Sequence, residues 1–225
     1  MFALRNRIAL LLRKIKVIAL EAMPTLLSLL QASAARHSHL CPRQVLGVRS
    51  ALAGAGYLGL GFPRRDKRLL AILETDGCYA DGIEVVTGAT VGHRTLRIED
   101  FGKIAVTLID VKNRRSIRIA PQVDVRERAW GYAPGERRAY FAQLGAYQIM
   151  PENELFTIQE VQLLTSVEAI ISRAGLRADC HGCGEEIVNQ REIRRNGLTL
   201  CRACAGQGYY SASDHSRPVS DRSAS

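Results

Sequence analysis

Residues 69–87 read LLAILETDGCYADGIEVVT, and this stretch decides how the fold is read. Residues 69–75 form a short apolar run with strand character. Asp76-Gly77-Cys78 breaks the run, and 79–87 then reads as a helix with Asp76 as its cap. Downstream, 87–93 (TGATVGH) is a glycine-bearing loop. Segments 102–111 and 116–120 alternate and carry Ile, Val and Thr, so they predict two strands joined by a turn over 112–115. Helices are expected over 125–132 and 136–148, with Pro134-Gly135 as punctuation. Residues 151–155 fit a short helical turn and 156–164 a last strand. Upstream, 22–35 has helical spacing. Pro42 predicts the opening of a second helix, with Cys41 beside its N-cap, because proline is tolerated at a first helical position. That helix carries Val45, Leu46, Val48, Leu52 and Ala55, and is expected to fray in Gly54, Gly56, Gly59 and Gly61. Hairpin strands mixed with helices give an α+β core of helices on an antiparallel sheet.

The ends of the chain have a different texture. Residues 1–22 form a basic amphipathic extension, with Leu4, Ile8, Leu11, Ile15 and Ile18 at helical steps. Arg5, Arg7, Arg13, Lys14 and Lys16 against Glu21 supply +4 of the formal net charge of +9. Its apolar runs are broken by Arg13, Lys14 and Lys16. They are too short for a transmembrane helix and carry no secretory pattern, so the protein is read as cytoplasmic. Met23 offers a second start. The expected organisation is a core over 23–170, a small module over 175–210 and a disordered Ser-rich tail over 211–225. With 47% hydrophobic and 24% charged residues in a chain of 225, disorder of the whole chain is excluded and a core of ordinary size is expected.

Six cysteines in a reducing compartment point to metal ligands, reactive thiols or buried small residues. Cys180-x-x-Cys183 and Cys201-x-x-Cys204 are two knuckles that can each chelate one ion. Four thiolates in a tetrahedron suit zinc, with an iron–sulfur centre as the alternative. Gly182 and Gly184 relieve crowding in the first knuckle. Ile187-Val188 and Leu198-Thr199-Leu200 are the expected hairpin strands, with Asn196-Gly197 as the turn. A redox CxxC needs only one pair, and c-type haem needs a histidine after the second cysteine. Between 177 and 204 five arginines meet four acids, a balance that argues against nucleic acid as a partner. The other candidates are His37, His39, Cys41 and Cys78. Both cysteines are expected at helix starts, where negative charge is favoured and a thiol pKa is lowered. Asp81 lies three residues after Cys78 on the same helical face and could orient a histidine. A buried, inert role for these groups stands beside the functional one.

Three blocks in order carry a resemblance. The run His37-Ser-His39-Leu-Cys41-Pro42 with Gly47 and Arg49, then Glu74-Thr-Asp76-Gly-Cys78-Tyr-Ala-Asp81-Gly82-Ile83, then Thr87-Gly88-Ala89-Thr90-Val-Gly92-His93 with Asp100-Phe-Gly102-Lys103, resemble the family of the E-type subunit of formylmethanofuran dehydrogenase over about residues 25–165. The cysteine quartet resembles a TraR/DksA-type zinc finger. The resemblance implies a dimerising α+β core. It also implies a metal or reactive-cysteine site at His37, His39, Cys41 and Cys78, with Asp81 close by. Cys41, Cys78 and Asp81 are the catalytic candidates. Ala89 stands where the family often has cysteine, and Ser38 and Arg43 where glycine is frequent. If that cysteine is a ligand in relatives, this chain has either a three-ligand or altered site, with room for water or substrate, or a weakened or empty one.

The expected function is a zinc-binding accessory protein, subunit or maturation factor, of a molybdenum- or tungsten-pterin oxidoreductase such as a formate or formylmethanofuran dehydrogenase. The alternatives are a metal- or cysteine-dependent enzyme using His39, Cys41 and Cys78, or a zinc-finger transcription regulator. No phosphate-binding GxxxxGK is present. Gly54-Ala-Gly56-Tyr-Leu-Gly59 has dinucleotide-loop spacing, but at the end of a helix.

Overall fold

Local sequence signals set the ends of the helices that carry the core site. In the computed structural model, which describes residues 24–172 and 174–211, helix α1 (Leu26–Arg36) starts at Thr25, whose Oγ1 accepts the Ser28 N–H at 3.2 Å. Helix α2 (Pro42–Leu58) has Pro42 in its first turn and Cys41 as its N-cap. It runs through Gly54 and Gly56 without fraying and stops at Gly59, which is left-handed. Strand β1 (Leu69–Leu73) leads into α3 (Cys78–Thr87). Gly77, not Asp76, caps α3, at φ 75° and ψ −152°. Only glycine enters that region freely, so the backbone turn decides the start and the Asp76 carboxylate does not.

Strand β2 (Leu96–Ile98) lies parallel to β1, with Ala71 opposite Leu96, and no sequence signal marks it. Strands β3 (Val106–Asp110) and β4 (Arg115–Pro121) form the expected hairpin, Leu108 opposite Ile117. Helix α4 (Val125–Arg128) passes into a 3-10 turn over Ala129–Tyr132. Helix α5 (Ala139–Ile149) starts three residues later than expected. The Glu136 carboxylate accepts the Arg137 and Arg138 N–H groups at 2.7 and 3.0 Å and closes a turn first. Helix α6 (Glu152–Leu155) and strand β5 (Phe156–Glu160) follow. The sheet order is β2-β1-β3-β4-β5, antiparallel except for β1 with β2. Leu69, Ala71 and Leu73 of β1, Val106 and Leu108 of β3, and Ile117 and Ile119 of β4 supply one sheet face. They join Val45, Val48 and Ala51 of α2 and Ile83 and Val86 of α3 in one apolar core, each large side chain contributing about 1.5–3 kcal/mol by burial.

The chain divides into two compact units at Gln162/Leu163. The second holds α7 (Val167–Ile171), whose N-cap Ser166 Oγ accepts the Ala169 N–H at 3.2 Å. It also holds two hairpins, where one was expected. Strand β6 (Arg177–Asp179) pairs with β7 (Glu186–Val188), and β8 (Ile193–Arg195) with β9 (Leu198–Leu200). Asn196 and Gly197, at φ 51° and 77°, make the turn of the second hairpin, as their residue types predict. Ile187 pairs with Ala178, because the first knuckle itself forms the β6–β7 loop. The amphipathic extension over 1–22 and the tail beyond Ser211 lie outside the described residues.

Candidate metal centres

The quartet comes together as the spacing predicts. Among the described residues, Cys180, Cys183, Cys201 and Cys204 are the one set of three or more His, Cys, Asp or Glu side chains whose donor atoms all lie within 4.8 Å. Cys183 Sγ and Cys201 Sγ are 3.9 Å apart, close to the ~3.8 Å edge of a tetrahedron of sulfurs 2.3 Å from one ion. Backbone amides hold the sulfurs. Gly182 N–H and Cys201 N–H donate to Cys180 Sγ at 3.3 and 3.2 Å, and Cys204 N–H donates to Cys201 Sγ at 3.4 Å. A Cβ on Gly182 would meet Cys204 Sγ at 2.9 Å, so only glycine lets the sulfurs close up. His181 is no ligand here. Its backbone N–H donates to Thr199 O at 2.8 Å and its Nδ1 accepts the Thr199 N–H at 3.3 Å, which ties the knuckle to β9. Burial opposes ionisation of Cys180, but the amides aimed at its sulfur outweigh that and bring it down to about 6. The Cys201 sulfur beside it pushes Cys204 up to about 12. Four crowded thiols cannot all ionise alone, and a divalent cation among them removes that conflict. The donor set fits zinc.

The core residues come together in part where two helix N-termini meet: His37 pairs with Cys78, but no three of the His37, His39, Cys41, Cys78 and Asp81 donor atoms lie within 4.8 Å of one another. Helices α2 and α3 cross with their backbones in contact. A Cβ on Gly47 would lie 2.3 Å from Tyr79 O, and one on Gly82 would lie 2.6 Å from both Gln44 O and Val48 N. Two glycines thus bring the helix starts together, with Cys41 capping one and Cys78 opening the other. Gln44 fixes the Cys41 end: its Oε1 accepts the Cys41 N–H at 2.9 Å and its Nε2 donates to Ser33 O at 2.8 Å. His37 stands between Cys78 and Asp81. Its Nε2 is 3.3 Å from Cys78 Sγ and its Nδ1 is 3.3 Å from an Asp81 carboxylate oxygen. Asp81 therefore fixes the tautomer that turns the Nε2 lone pair toward the sulfur. The His39 ring meets His37 edge-on at 5.6 Å, and both are exposed.

Cys41 is buried and Cys78 half-buried. Burial, and then the neighbouring Cys41 thiol, push the Cys78 thiol up from its ordinary value. That corrects the expectation of a lowered pKa: desolvation and a second sulfur outweigh the helix terminus. Ala89 follows the C-terminal end of α3, whose ten residues rise about 15 Å from Cys78. It is buried in the apolar core and belongs to no polar cluster.

The remaining block residues hold the frame. Glu74 takes a two-pronged pair from Arg118 at 2.5 and 2.8 Å, and Arg118 holds its carboxyl below the usual range. Arg49 donates to Tyr147 O, Gln148 O and Met150 O at 2.9, 3.1 and 2.9 Å and so closes the end of α5. Sequence reasoning missed Tyr140, whose hydroxyl donates to Leu40 O at 3.2 Å. No local motif marks it.

Comparison with known proteins agrees with these blocks. The family model described as "FmdE, Molybdenum formylmethanofuran dehydrogenase operon" matches residues 36–157, more than half of the chain. The chain belongs to the FmdE family. The matched segment contains His37, His39, Cys41, Cys78 and Asp81, and ends before the cysteine quartet. A relative from Archaeoglobus fulgidus, called a probable S-adenosyl-L-methionine-binding protein, is 27% identical over 77% of this chain. The chain spans about half of that relative's length, 51%. A tungsten formylmethanofuran dehydrogenase FmdE-like protein from Syntrophus aciditrophicus shares the fold, with a TM-score of 0.51 at 20% identity over 81% of this chain and 92% of that one. Among the described residues no helix is long and apolar enough to cross a membrane.

Proposed function

We propose that this FmdE protein is a cytoplasmic, homodimeric, metal-binding accessory component, a subunit or maturation factor, of a molybdenum- or tungsten-pterin oxidoreductase handling formate or formylmethanofuran. Its quartet binds structural zinc as a TraR/DksA-type finger. Its working site is a second metal centre at His37, Cys41 and Cys78, with His39 at its exposed side. The 3.3 Å separation of His37 Nε2 and Cys78 Sγ carries this reading. It is close to the ~3.5 Å that a nitrogen and a sulfur keep on one tetrahedral zinc. Asp81 on the far ring nitrogen is the carboxylate–histidine arrangement that orients a metal-bound imidazole. A bound zinc would supply Lewis acidity at a solvent-facing position. The chain's own groups do the rest: Asp81 keeps the Nδ1 proton on His37, and the buried Cys41 anchors the site from α2.

The test is metal content per chain by mass spectrometry, beside a Cys41→Ala/Cys78→Ala variant. Two zincs falling to one is the expected result. One zinc in both proteins overturns the core centre. Co-purification with a pterin oxidoreductase tests the accessory role.

The same three side chains favour one second reading. Cys78, His37 and Asp81 line up as thiol, imidazole and carboxylate, so Cys78 could act as a nucleophile deprotonated by His37. Iodoacetamide labelling of Cys78 that is abolished by His37→Ala, in a protein holding one zinc, is the result this reading expects.

A further inference from the structure

The segment that carries His37, His39 and Cys41 leaves α1 and reaches α2 without regular hydrogen bonding of its own. It contains Ser38 at φ 62°, a left-handed value that is strained for a non-glycine residue and needs support from neighbours. Support arrives from α5. Arg49, two turns into α2, grips the C-terminal carbonyls of α5. At the other end of α5, the Tyr140 hydroxyl donates to Leu40 O at 3.2 Å, across 100 residues of sequence. Helix α5 is thus fastened to α2 and its lead-in at both ends. The second fastening falls on the carbonyl between His39 and Cys41. The Tyr140 ring itself is 42% exposed. It also packs edge-to-face on Phe141 at 5.3 Å.

We propose that Tyr140 is a positioning residue of the core site: its hydroxyl fixes the Leu40–Cys41 peptide, and with it the direction of His39 and Cys41. A peptide held by its carbonyl rotates less freely about its flanking dihedrals. The imidazole before it and the sulfur after it then keep their relative direction when no ion holds them. The inference rests on the metal reading above, but it also makes a claim about the metal-free thiols.

The full-length protein with zinc in its quartet is titrated with cobalt(II). Wild type is compared with Tyr140→Phe, which loses the hydroxyl and keeps the ring, and with Phe141→Leu as the packing control. Tyr140→Phe is expected to melt with wild type and to keep its quartet zinc. Its core-site cobalt affinity is expected to fall about tenfold, as for loss of other outer-sphere partners, with an altered thiolate-to-cobalt absorption. In metal-free core sites, peptide-resolved iodoacetamide labelling of Cys41 and Cys78 is expected to run several-fold faster in Tyr140→Phe than in Phe141→Leu. Wild-type cobalt affinity and labelling rate in Tyr140→Phe overturn the inference. Faster labelling in a protein whose wild type takes up no second cobalt overturns the metal reading and leaves the role of Tyr140 standing.

Discussion

In the C-terminal module the four sulfurs come in pairs with two residues between them, on the loops of three-residue strands, and Ile187 and Ala205 are among its few buried side chains. In the core, Cys41 and Cys78 come from different helices, and His37 reaches Cys78 across 41 residues. The apolar core beneath α2 and α3, the Gly47–Gly82 crossing and the Gln44 and Arg49 clamps fix those positions before any ion arrives. The difference is one of cause. On the proposed reading, an ion organises the chain in the module, whereas in the core the chain would organise the ligands. A site of the first kind serves stability. One of the second kind can leave a coordination position free for chemistry.

The largest expected effect breaks this comparison at the module. Cys180→Ser removes the most buried ligand of the quartet, at 2% exposure. Zinc binding in such modules supplies on the order of 10 kcal/mol of folding free energy, more than three-residue strands can replace. The variant is expected to lose one zinc per chain and to become protease-sensitive after Gln162, with the melting of the core unchanged. A module that stays folded with zinc bound would show that the quartet is not its organiser.

The next effect tests the core from the carbon side. Gly82→Ala pushes a methyl group to 2.6 Å from two backbone atoms of α2, Gln44 O and Val48 N, neither of which can swing away. The helices must part, at a cost of about 3 kcal/mol, or roughly 10 °C of melting temperature for a domain of this size. Core metal affinity is expected to fall with it, while quartet zinc stays. Loss of stability without loss of core metal would mean that the ion, not the crossing, sets the cysteine geometry.

Sequence legibility follows the same divide. The quartet, the Asn196-Gly197 turn and Pro42 at the helix start are readable, because each is a rule about neighbours in the chain. The hairpin partner of Ile187 is not, because β-pairing depends on which loop the knuckle occupies. Strand β2 is too short, at three residues, to show alternation. In the core, the blocks holding His37, Cys41, Cys78 and Asp81 can be named from sequence, but their pairing cannot. The distances depend on two glycines touching across a helix crossing. Asp76 looks like a cap by residue type, and the backbone of Gly77 takes that place. Tyr140 is illegible for the plainest reason, since its one telling bond spans 100 residues.

The smallest effect sharpens the contrast through acid. Thiolate ligands compete with protons, so the module is expected to release its ion in mildly acidic solution while the core persists. The acid limit of the core lies lower and belongs in part to Asp110. Its carboxylate is buried at the end of β3 and accepts the Arg68 guanidinium at 2.9 and 2.7 Å, the Lys112 and Asn113 N–H groups, and the Asn113 side-chain amide. The Arg68 bonds, outweighing burial, hold its pKa at about 2, against a usual carboxylate value near 3.8. A carboxyl lower in the folded state than in the unfolded one stabilises fully above the unfolded value. That contribution drains away as pH falls through the folded one. Wild-type core stability is therefore expected to drop between about pH 4 and pH 2, and Asp110→Asn to be less stable at neutral pH but flatter across that window. Chemical denaturation at about pH 6, 4 and 2.5 brackets that window and measures both. An equally steep acid limb in Asp110→Asn would move the acid sensitivity of the core to another carboxylate, with Glu74 beside Arg118 next in line.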